Sequence, residues 1–170
     1  EITHATPAAF VAHVDLRWKT DEISSQMMDS KIATLLGGGR HFFIPKELGG
    51  KREDGRNLLQ EVNDSHVLLK TKEDMINFDL TMPGRIFGLF ADEHIRNIET
   101  PDNHVLEPSL TEMLEFSVNR SDYFVKNGCK GFFIMAEGSQ VDWAGHVNNM
   151  DYLNNEMKDL DSAVDWALNY

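Results

Sequence analysis

Glu137, Asp142 and His146 fall within ten consecutive residues, and their types and spacing suit a divalent cation. Asp142 and His146 are four apart, so on a helix they share a face one turn apart. A carboxylate and a neutral imidazole placed that way can ligate one small cation, with Zn²⁺ the usual choice for mixed oxygen and nitrogen donors. Glu137, an oxygen donor five residues before Asp142, suits a second and harder ion such as Mg²⁺. The same spacing also arises as a solvated ion pair that holds nothing. Two neighbours favour the metal. The apolar run Phe132 to Ala136 reads as a buried strand with Glu137 at its end, where open α/β sheets present ligands. Gly138, Ser139, Ala144 and Gly145 are small enough to let backbone approach an ion or a phosphate.

The elements that must position these residues are legible as alternating short apolar runs and amphipathic stretches. Thr6-Pro7 predicts a helix start, with Thr6 as N-cap, Pro7 at the first helical position and helix over Ala8 to Val14. Asp21 to Asp29 reads as a second helix. Ile32 to Leu36 reads as a strand closed by Gly37-Gly38-Gly39, and His66 to Leu69 and Arg85 to Phe90 as two more. The run Phe132 to Ala136 would be the fourth. Loops are expected at Gly49 to Arg56 and Thr100 to Pro108, with a short helix over Leu58 to Val62. Ser109 and Glu112 form a capping box. It opens a helix carrying Leu110, Met113, Leu114 and Val118, which Asn127-Gly128 would close. In the last helix Met150, Leu153, Met157, Leu160, Val164 and Ala167 form one stripe, predicted to face the core. Strands alternating with helices predict an α/β sandwich with a largely parallel sheet.

A chain of 170 residues suits one domain with a real core. Its formal net charge of −12 argues against non-specific nucleic-acid binding, which needs a basic surface. An anion site here must therefore rest on a local metal or arginine. Cys129 is the single cysteine, which excludes an internal disulfide. No run approaches the roughly 20 apolar residues of a membrane span, and no targeting signal is recognised. The chain opens on Glu1-Ile2-Thr3 without a Met and reads as an internal piece of something longer.

Taken together, the segments resemble the alkaline phosphatase family. Thr3-His4-Ala5-Thr6-Pro7 through His13 to Arg17 is similar to one family segment. Leu36 to Arg40 and Phe87 to Asp92 are similar to two others, and Glu137 to His146 to its metal segment. The four fall in the family's order and span nearly the whole chain, which identifies residues 1–170 as the central part of a catalytic domain. The fold implied is an incomplete three-layer α/β sandwich with a largely parallel sheet. Asp142 and His146 then match ligands of one Zn²⁺, and Thr6 and Glu137 ligands of Mg²⁺. Arg17 matches the arginine that clamps the substrate phosphate, a bidentate role that lysine fills poorly. His4 stands where some members carry an aspartate and Trp143, beside the substrate, where some carry a lysine. That His/Trp pair marks a bacterial type, in which His4 reaches Mg²⁺ through water.

The resemblance implies a metal-dependent phosphomonoester hydrolase with a phosphoserine intermediate, periplasmic or secreted; it is compatible with a homodimer of the intact protein. It places the serine nucleophile and an early aspartate ligand before this segment. The Asp–His pair of a second Zn²⁺ and a last His of the first belong after it. The 170-residue chain alone is therefore expected to be inactive. Ser139 lacks any neighbour resembling an activating base. On a straight helix Arg17 would lie about 16 Å from Thr6, so only the resemblance brings the two together. His13, His41, His66, His94 and His104 read as surface or satisfied core histidines. Two rival readings are a related metal-dependent phosphodiesterase or sulfatase, and a non-catalytic acidic interaction domain.

Overall fold

Six of the seven residues of Arg85–Ala91 are buried, as expected of a strand flanked on both edges. In the computed structural model, which describes residues 1–61, 66–100 and 106–170, this strand is the centre of a three-stranded parallel sheet. In chain order the strands are β1 (Thr34–Gly38), β2 (His66–Leu69) and β3 (Arg85–Ala91), and their order in the sheet is β1-β3-β2. Leu36 lies opposite Gly88, and Leu68 opposite Phe87. The parallel sheet expected from the sequence is present. β1 starts two residues later than its apolar run and takes in Gly37 and Gly38, because both pair with β3.

The chain divides into two compact units, Glu1–Ile76 with Pro83–Ile95, and Asn77–Met82 with Arg96–Tyr170. The first holds the sheet and helices α1 (Ala5–Val11), α2 (Thr20–Asp29) and α3 (Lys72–Ile76). Ala8, Ala12, Ile23, Met27 and Met28 pack with Leu35, Phe43, Phe87 and Leu89 into one core. Each large side chain removed from water there contributes about 1.5–3 kcal/mol. Thr6 does not cap α1: the N-cap is His4, in extended backbone, and Thr6 lies inside the first turn. Pro7 fits there because the first-turn amides lack helical acceptors in any case. The helix also stops earlier than predicted, at Val11, since Ala12 is extended. The described residues of the expected helix, Leu58 to Glu61, form a single turn in which the Gln60 and Glu61 amides donate to the Asn57 carbonyl. Val62 lies outside the described residues, as do Pro101 to Val105 of the expected loop, His104 among them.

The second unit is helical, with α4 (Leu110–Lys126), α5 (Gln140–His146) and α6 (Met150–Asn169). The capping box of α4 forms with both bonds, Ser109 Oγ accepting from the Glu112 amide at 3.2 Å and Glu112 Oε2 from the Ser109 amide at 2.8 Å. Asn127 is the C-cap, followed by Gly128 at φ +113°. Two expectations fail here. Residues 131–138 have no regular structure, and Phe132 and Phe133 are 49% and 80% exposed. A strand must pair its amides and carbonyls, and among the described residues none lies beside this run. The stripe of α6 is also misread. Tyr152, Glu156 and Ala163 are buried, while Met150, Met157 and Val164 are exposed. Polar anchors turned the helix: Glu156 Oε1 accepts from the Ile98 amide at 2.7 Å, and the Tyr152 hydroxyl donates to Gln140 Oε1.

Candidate functional site

Parallel strands put all their carboxyl ends at one edge of the sheet, and there the first unit gathers its polar side chains. The Ile2 amide donates to the Gly38 carbonyl at 3.0 Å, laying the first residues against the end of β1. The glycines make this approach feasible. A Cβ on Gly38 would collide with the Glu93 carbonyl, and Gly39 sits at φ +107° with Glu1 Cγ 3.1 Å from where a Cβ would be. Glu1, His4, Asp92, Glu93 and His94 are thereby collected from both ends of this unit's sequence.

Arg17 joins them by a route that helix geometry could not show. After α1 stops at Val11 the chain doubles back, and Arg17 Nη2 comes within 2.8 Å of His4 Nε2. A guanidinium only donates, so His4 Nε2 is the acceptor in this contact. The ring of His94 stands edge-on to that of His4, at 5.3 Å between centroids and 76° between planes. Its Nε2 meets the Glu1 carboxylate at 3.2 Å. Burial is the main cause holding His94 below the ordinary histidine range, against the opposing pull of Glu1. Beside this group Arg40 Nε donates to Asp92 Oδ1 at 2.9 Å, and His41 Nε2 lies 3.3 Å from Asp92 Oδ2.

In the second unit Asp142 and His146 share one face of α5, with Oδ2 and Nε2 3.4 Å apart. That separation equals the roughly 3.4 Å that two ligand bonds of about 2.1 Å at a tetrahedral angle set between their donor atoms. Both side chains are open, 78% and 73% exposed. Their backbone is firmly placed: Ala144 is fully buried, and Asn148, at φ 51°, turns the chain into α6, where Asn149 caps by accepting from the Tyr152 amide. Trp143 is exposed on the same short helix, and Glu137 is half-buried just before it. Gly138 lies so close to Leu160 that a Cβ would stand 3.1 Å from Cδ1.

The structure thus joins His4 with Arg17 and Asp142 with His146. Thr6 is exposed on α1 in the first unit and Glu137 belongs to the second. Among the described residues no three of His, Cys, Asp and Glu are grouped as a metal site. His94 is a satisfied histidine as expected, but the sequence did not show that Glu1 satisfies it or that the pair lies beside His4. No local spacing could have shown this, because their meeting depends on the Gly37–Gly39 strand end. His41 and His66 are satisfied as expected, by Asp92 and by the Met28 carbonyl at 3.2 Å.

Residues 1–170 match the sequence model of the family described as Alkaline phosphatase. The chain is 34% identical to Alkaline phosphatase 4 of Bacillus subtilis, with all of this chain and 35% of that protein aligned. It superposes on the alkaline phosphatase of the Antarctic bacterium TAB5 with a TM-score of 0.78 at 31% identity, covering 99% of this chain and 46% of that one. A mutant of the TAB5 enzyme with Mg bound in the M3 site gives 0.81 at 31% identity, covering 99% and 45%. The chain spans about a third of the curated relatives it matches and under half of these solved ones.

Proposed function

The chain belongs to the alkaline phosphatase family, and from that premise we propose that the whole protein is a Zn²⁺- and Mg²⁺-dependent phosphomonoester hydrolase acting through a phosphoserine intermediate. The observation that carries the reading is the 3.4 Å approach of Asp142 and His146 on one face of α5, the spacing of two ligands of one Zn²⁺. Thr6, Glu137 and, through water, His4 would hold Mg²⁺, their hydroxyl and carboxylate oxygens suiting that hard ion. When bound, the ions supply Lewis-acid stabilisation of phosphoryl oxygens and a hydroxide source near neutral pH.

The residues present do the binding and orienting. Arg17 donates two parallel N–H bonds to phosphate oxygens, and the acceptor on His4 keeps its fork from swinging into solvent. Trp143 borders the same substrate. The nucleophile is a serine outside residues 1–170: its oxygen bonds phosphorus as the ester oxygen leaves, and water then cleaves the phosphoserine. Phosphate monoesters resist uncatalysed hydrolysis enough to need accelerations up to ~10²¹, and opposing the phosphoryl charge is what this site contributes. Within this proposal the 170-residue chain alone is inactive, and the protein works in the periplasm or outside the cell, which is compatible with a homodimer of the intact protein. Among the described residues no helix is long and apolar enough to cross a membrane.

Turnover of p-nitrophenyl phosphate by the whole protein at alkaline pH, with Zn²⁺ and Mg²⁺ added, tests the reading. Asp142→Ala is expected to lower kcat/KM by roughly 10³-fold, the scale of losing a major electrostatic stabiliser. Faster turnover of phosphodiesters or sulfate esters would assign the protein to another metal-dependent hydrolase. Substantial activity of the 170-residue chain, abolished by Ser139→Ala, would move the nucleophile into this segment.

A further inference from the structure

We propose that Glu1 and His94 are positioning residues for Arg17, acting through the ring of His4. The inference rests on the reading of Arg17 as the phosphate-binding arginine. Arg17 is exposed, and a long side chain in solvent samples many rotamers, whereas a bidentate clamp needs one of them. Its Nη2 bonds His4 Nε2, at 2.8 Å. An acceptor on a ring free to rotate would fix little. His94 limits that rotation, because its ring stands edge-on to His4 at 5.3 Å and 76°, the favourable T-shaped arrangement of aromatic rings.

His94 is in turn held by Glu1. The Glu1 carboxylate is 6% exposed; Oε2 meets His94 Nε2 at 3.2 Å, and Oε1 accepts from Thr3 Oγ1 at 2.8 Å. Thr3 is itself buried, and the Ile2 amide is bonded to the Gly38 carbonyl, so this end of the relay is anchored on β1. The line Gly38–Glu1–His94–His4–Arg17 connects the sheet edge to the guanidinium through groups with fixed partners.

The test uses the whole protein, steady-state turnover of p-nitrophenyl phosphate and inhibition by inorganic phosphate. His94→Ala is expected to raise KM and the phosphate inhibition constant about threefold to tenfold, the scale of one aromatic contact and one hydrogen bond, with kcat changed less. His94→Phe, which keeps the ring edge but loses the bond to Glu1, should place both between His94→Ala and wild type. Glu1→Gln should move them in the same direction as His94→Ala, by less. In an Arg17→Ala background His94→Ala should add nothing, since its effect runs through Arg17. Additive effects, or His94→Ala with unchanged KM and inhibition constant, would overturn the proposal. If His94→Ala does not fold, Glu1→Gln with and without Arg17→Ala decides by the same coupling. If Arg17→Ala itself leaves KM and phosphate inhibition unaltered, the phosphate-clamp reading fails and this one with it.

Discussion

The two units of this chain treat their chemistry-bearing residues in opposite ways. In the first, His4 and Arg17 are tied to each other and to a partly buried pair at the edge of a parallel sheet. In the second, Asp142 and His146 project into solvent from a seven-residue helix whose backbone alone is anchored. The first unit buries its apolar strands, whereas the second leaves Phe132, Phe133 and four of the six residues of a helical stripe exposed. Polar side chains become fixed where paired backbone surrounds them, and a sheet edge supplies that pairing. A helix face supplies only spacing, so Asp142 and His146 are brought together while their surroundings stay open.

The sharpest way to break this contrast is to truncate one phenylalanine in each unit. Phe87, 2% exposed in the core of the first, should cost about 3–5 kcal/mol when replaced by Ala. Phe133→Ala in the 170-residue chain should stay within about 0.5 kcal/mol, because the ring is already in water. Urea unfolding measures both. A large loss at Phe133 would mean that the second unit buries the run after all.

A smaller effect concerns pH. His66, at the start of β2, is held below the ordinary histidine range, mainly by burial and then by the charge of Arg85. Its folded pKa is depressed, so the unfolded chain takes up a proton first. The corresponding stability is complete above the unfolded value of about 6.5 and is lost as pH falls through the folded value. Melting temperature should therefore drop between neutral pH and pH 5, and His66→Gln should flatten that slope. An unchanged slope would assign the pH dependence to other groups.

Spacing made the α4 capping box, the strands His66–Leu69 and Arg85–Ala91, and the Asp142–His146 pair legible, because each depends on neighbours in sequence. What escaped depends on partners far away. The run Phe132 to Ala136 has strand composition, but a strand exists only beside another strand. The face of α6 was decided by Glu156 and Tyr152 finding distant polar partners, which outweighed an apolar stripe read along the helix. The separation of about 16 Å between Arg17 and Thr6 holds only for an unbroken α1. Ala12, in extended backbone, removes that premise and lets the chain return to His4. Family resemblance had placed Arg17 with these residues; spacing could not.

The central claim is that Asp142 and His146 hold one Zn²⁺ in a phosphatase. Crystals of the whole protein grown with Zn²⁺, measured on both sides of the zinc absorption edge, address it directly. The account predicts an anomalous peak about 2.0–2.2 Å from an Asp142 carboxylate oxygen and a His146 ring nitrogen, lost in His146→Ala. Zinc bound elsewhere with this pair still joined only to each other, or no zinc peak at all, would contradict it.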